Sequence, residues 1–145
     1  MRKRACRHRA VRGTWCLNVG VLAVSRTPVW RAAAGERVLP LLVRPALSFW
    51  SRFWGWMFAP APKDDEGLLL SPCRRIHTFG MRFAIDAVYL DGDGRILAVE
   101  EGLVPGRTGG AYRGCCRVLE LKAGAARRFG LNPGETLTFF VREKN

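Results

Sequence analysis

The groups best suited to chemistry lie in one stretch, Cys73 to Leu90 (CRRIHTFGMRFAIDAVYL), and at Glu120 further on. An imidazole and a carboxylate that meet at one point can move a proton to or from a substrate, so His77 with Asp86 or Glu120 is the candidate pair for a hydrolase or transferase. Cys73 and His77 are four residues apart. On a helix that spacing brings their β-carbons to roughly 6 Å and lets them share a metal; on a strand it separates them by about 13 Å. Pro72, Phe79, Gly80 and Phe83 favour an extended run. Cys73 and His77 are therefore weak metal candidates, no metal or other cofactor is expected, and His77 is read as a half-buried residue bonded to a backbone carbonyl.

These groups need strands to position them. From Ile85 to Leu90, side-chain alternation sends Ile85, Ala87 and Tyr89 to one face and Asp86, Val88 and Leu90 to the other. Asp86 then lies among apolar neighbours, where a carboxylate needs a partner such as a turn backbone or Arg82. Asp91-Gly92-Asp93-Gly94 suits a tight reversal into a second strand, RILAVEE. A calcium loop is rejected, because Arg95 and Gly102 occupy positions that need oxygen ligands. Gly102 to Gly114 is rich in glycine and reads as a mobile loop, with Arg107, Thr108 and Tyr112 as possible binding groups. Arg117 to Lys122 is a strand with Glu120 opposite Leu119 and Leu121. A helix over Ala123 to Phe129 stops at Gly130, and ETLTFFV closes the fold.

Upstream, VLPLLV reads as a short edge strand, since Pro40 lacks an amide hydrogen. Pro45 to Phe58 spaces Leu47, Trp50, Trp54 and Phe58 as on a helix, a stripe read first as core and second as a membrane or partner face. APAPKDDE is a connection, and GLLLSP is a buried strand.

The formal charge of +12 is uneven. Residues 1–44 hold ten basic groups against one acidic, and residues 45–145 hold fourteen against eleven, so the domain itself is mildly basic. Nucleic-acid binding is not expected, because no basic face interleaved with aromatics is evident. Residues 1–36 form a basic extension, disordered or an over-long start, and residues 37–145 a single domain. The five cysteines include no C-x-x-C pair. Reduced thiols in a cytoplasmic protein, at most peripheral to the inner membrane, are the simplest account.

IHTFGMRFAIDAVYLDGDGRILAV, followed by VLELKAGAARRFGLNPGE, resembles the bacterial and archaeal family known as domain of unknown function 192, from about Val38 to Phe140. The resemblance implies an α+β fold with a curved, mainly antiparallel, barrel-like sheet and one or two short helices. It implies no activity. His77, Thr78, Met81, Asp86 and Glu120 match its motifs, as do Gly124, Gly130 and Gly134. The expected function is a small non-catalytic binding module that holds a small ligand or an extended peptide beneath the glycine-rich loop, through His77, Thr78, Met81, Arg82, Asp86, Arg107 and Glu120. The alternatives are the His77 enzyme and an envelope-associated interaction protein; the last requires at least two of Trp50, Trp54 and Trp56 to be exposed.

Overall fold

In the computed structural model, which describes residues 28–141, the chain forms β1 (Trp30–Ala34), β2 (Arg37–Ala46), α1 (Phe49–Trp54), β3 (Glu66–Leu70), β4 (Ile85–Leu90), β5 (Ile96–Leu103), β6 (Arg117–Lys122), α2 (Ala125–Arg128) and β7 (Leu137–Val141). The strands make one sheet in the order β5-β4-β6-β3-β2-β1-β7. All neighbours are antiparallel except β2 and β3, which run parallel. The α+β class and the curved, mainly antiparallel sheet thus stand.

The sheet curls until its two edge strands meet at one end. Arg95 bridges Thr136, and the Leu137 N–H donates to the Gly94 carbonyl at 2.8 Å. Glycine is required at this seam. Gly94 has φ +90°, and a β-carbon there would sit 2.3 Å from the Leu137 carbonyl oxygen.

Both faces of the central strands are covered, which is why all six residues of β4 are buried. Val88, Leu90, Leu119 and Leu121 join Leu39, Leu41, Val43, Leu137 and the alanines of α2 in one core. Ile85, Ala87, Tyr89 and Val118 join Trp56, Leu68, Leu70, Ile76 and Met81 in the other. The alternation expected for Ile85–Leu90 is the alternation observed.

Two expectations upstream are corrected. The sheet starts at Trp30, and Ala32–Ala34 are buried, so the fold begins before the expected boundary at Arg37. The earlier part of the basic extension lies outside the described residues. Strand β2 is also no edge: it runs for ten residues between β1 and β3. Pro40 is accommodated because the β1–β2 register shifts between Arg31 and Ala33, opposite it, and pairing with β3 begins only at Leu42.

Asp86 is fully buried and satisfied by backbone alone. Its Oδ1 accepts from the Gly102 N–H and its Oδ2 from the Ala126 N–H, both at 2.9 Å. The carboxylate thus ties β4 to the end of β5 and to the first turn of α2, whose N-cap, Gly124, has no side chain to offer. Replacing Asp86 with Ala strands the buried Ala126 N–H and removes the partner of the more accessible Gly102 N–H, and is expected to lower unfolding free energy by about 1–3 kcal/mol in urea titrations. Asp86→Asn keeps one acceptor oxygen and should lose less.

Candidate ligand-binding cleft

A cleft of about 260 Å³ opens between α1 and the segment that follows β3, with Glu120 of β6 among its walls. Phe49, Arg52, Phe53 and Trp54 come from α1; Trp56 and Met57 follow it; Cys73, Arg75, Ile76, His77 and Met81 form the opposite side. The α1 wall is held locally. Ser48 and Ser51 form a reciprocal cap: each Oγ accepts from the other's backbone N–H, at 3.1 and 3.0 Å. Arg52 donates from Nη1 to the carbonyls of Leu47 (2.8 Å) and Ser71 (3.3 Å), tying the helix to the end of β3.

Glu120 is 2% exposed, and its Oε2 has no hydrogen-bond partner among the described residues. Burial raises its pKa from the ordinary 4.5 to about 8, so at neutral pH the group is mostly a neutral acid with one O–H to donate. Trp56, 3% exposed, likewise leaves its indole Nε1–H without a partner among the described residues, while Arg44 sits 4.8 Å from its ring centroid. Cys73 donates weakly to the Arg75 carbonyl at 3.3 Å, and burial pushes its thiol up to about 11. It is a poor nucleophile at neutral pH.

The sequence candidates divide. His77, Met81 and Glu120 line the cleft; Asp86, Thr78, Arg82 and Arg107 do not. The β4–β6 register explains the first exclusion: Asp86 pairs with Leu121 and Ala87 with Glu120, so the two carboxyls leave the sheet on opposite faces. His77 is exposed and stacked on Phe79, with 5.3 Å between ring centroids, and is not the half-buried residue expected. Asp86 therefore does not join His77 in one site. Thr78, fully buried, is an anchor whose hydroxyl faces the Val104 carbonyl at 2.7 Å and accepts from the Arg107 N–H at 2.9 Å. Arg107 enters through its backbone, and Arg82 is exposed. Among the described residues no group of three His, Cys, Asp or Glu side chains could hold a metal.

The glycine-rich loop is fastened and does not roof the cleft. Glu100, which the sequence reading did not single out, accepts from Tyr89 Oη (2.9 Å), Tyr112 Oη (2.8 Å) and the Gly110 N–H (2.8 Å). Burial, then this hydrogen bond, raise the Tyr89 phenol pKa. Arg75 Nε adds a bond to the Gly109 carbonyl at 2.9 Å. The only foreshadowing in the sequence is the Gly109-Gly110 pair, since a β-carbon at Gly109 would lie 2.1 Å from Tyr89 Oη. Cys73 and Cys115 are free thiols, as expected for reduced cysteines.

Glu120 sets a pH dependence of definite sign. With its folded pKa above the unfolded value, the native state binds more protons between about pH 4.5 and 8, so stability falls as pH rises through that window. Chemical melts followed across this range should show a decline of about 1.4 kcal/mol per pH unit at most. Glu120→Gln, which stays neutral, should remove the decline and melt higher than the parent at pH 8.

No curated protein searched matches the chain. Two crystal structures share its fold: a Sinorhizobium meliloti 1021 protein described as a "putative transcription regulator" (24% identity, TM-score 0.68, 80% of this chain and 98% of that one) and a Novosphingobium aromaticivorans DSM 12444 protein of unknown function (19% identity, TM-score 0.65, 76% and 83%). At these identities the likeness is one of fold. The model of domain of unknown function 192, described as an uncharacterized ACR, matches residues 31–139, and the chain belongs to that family.

Proposed function

We propose that the protein is a non-catalytic binding module whose cleft takes a small, largely apolar molecule with a neutral hydrogen-bonding end, such as a primary amide or an alcohol. The observation that carries this reading is the buried carboxyl of Glu120 in the cleft wall, whose Oε2 has no partner among the described residues. A buried polar group without a partner costs on the order of 1–3 kcal/mol. A ligand that accepts the Glu120 proton removes that cost, and the Trp56 N–H in the same wall is a second donor. The volume of about 260 Å³ suits an occupant below drug size and is small for an extended peptide.

The enzyme alternative has less support. Its His77–Asp86 version lacks a common point, and the thiol nearest His77 in sequence, Cys73, is held protonated. The regulator description of the Sinorhizobium protein adds no argument for nucleic acid, given the mild charge of residues 45–145. Among the described residues no helix is long and apolar enough to cross a membrane. We place the module in the cytoplasm, where Cys73 and Cys115 stay free thiols.

Protein-observed NMR with benzamide-sized amides and alcohols tests the reading through the Trp56 indole N–H signal. Binding should shift that resonance, weaken roughly tenfold in Glu120→Leu, and fade as pH passes about 8 and Glu120 ionises. Perturbations confined to surfaces away from Trp56, or affinity indifferent to both changes, would refute it.

A further inference from the structure

The stripe expected to be core is mostly surface. Phe49 (63%), Trp50 (66%), Phe53 (45%), Trp54 (52%) and Phe58 (62%) are all exposed, and α1 contributes no buried residue. These rings form a continuous cluster, with centroids of neighbouring pairs 5.4–6.4 Å apart from Phe49 through Trp54. Phe58 extends it: its N–H donates to the Gly80 carbonyl beside exposed Phe79. Of the three tryptophans whose exposure was in question, only Trp56 is packed.

Cationic groups border this face and no anionic ones do. Residues 37–63 and 71–85, which build it, contain no Asp or Glu. Arg52 and Arg75 line the cleft beside the rings, Arg44 lies over Trp56, and Arg82 follows Met81. None of these arginines forms an ion pair with a described residue; the ion pairs present are Lys122 and Arg128 with Asp64, and Arg127 with Glu101. The one carboxyl lining the cleft, Glu120, is buried and mostly neutral at pH 7.

We infer that this face docks on an anionic lipid bilayer, with Trp50, Trp54 and the flanking phenylalanines entering the headgroup region and the arginines meeting lipid phosphates. Tryptophan and phenylalanine beside arginine suit that boundary, where apolar area and cationic charge act together. A second copy of the chain suits the face less well. A two-fold contact would set the same patch against itself, and its arginines would meet arginines with no acidic partner.

The test is flotation of the full chain with vesicles of phosphatidylcholine alone or mixed with phosphatidylglycerol. Wild type should float with the mixed vesicles and not with phosphatidylcholine alone, and brominated acyl chains should quench its tryptophan fluorescence. The double variant Trp50→Ala/Trp54→Ala, which alters only exposed side chains, should bind roughly tenfold or more weakly. The inference is overturned if that variant floats like wild type, which would assign the attraction to the basic N-terminal residues. It is equally overturned if wild type ignores both vesicles, escapes quenching, or self-associates through Trp50 without binding lipid.

Discussion

The register of β4 against β6 governs what this molecule can do. Side chains alternate along both strands, so pairing Asp86 with Leu121 and Ala87 with Glu120 assigns the two buried carboxyls to different faces and different chemistry. Asp86 meets two backbone N–H groups and becomes part of the frame. Glu120 meets none among the described residues and becomes a neutral acid in a cleft wall. Two carboxyl groups, each nearly sealed from water, are separated by the face each occupies and the hydrogen bonds each finds there.

The second dependence is that the frame closes on itself. The Gly94 seam joins the edge strands, Asp86 fastens α2, and Glu100 with Thr78 fastens the 104–110 loop. The face carrying the cleft is therefore backed by a sheet whose connections are satisfied elsewhere. This leaves α1 free to present aromatic rings to the exterior. In a small fold such exposure is costly unless something covers it, which makes the aromatic face a feature needing explanation.

Local signals in the sequence located the strands well. The Asp91–Gly94 turn, the alternation across Ile85–Leu90 and the GLLL strand depend on neighbouring residues, and each is where those residues point. What was misread depends on distant ones. Pro40 looked like an edge residue because the bulge opposite it belongs to another strand. The spacing in Pro45–Phe58 suggested a longer helix, but β2 continues to Ala46 and α1 is only six residues long. Periodicity reveals that a stripe exists, not whether anything covers it. Glu100 was invisible, since its partners Tyr89, Gly110 and Tyr112 converge only through hairpin and loop. His77 drew attention by type, whereas the buried orphan Glu120 is recognisable only once burial is known.

Strand β4 is paired on both edges and buried along its whole length, while α1 contributes no buried residue and rests on a serine cap and the Arg52 hydrogen bonds. The free energy of lifting α1 is thus separable from that of opening the sheet. Amide hydrogen exchange would divide the molecule accordingly: β4 amides released only on global unfolding, α1 amides through a local opening. The cleft could admit an occupant by displacing one wall while the strand that carries Asp86 never opens.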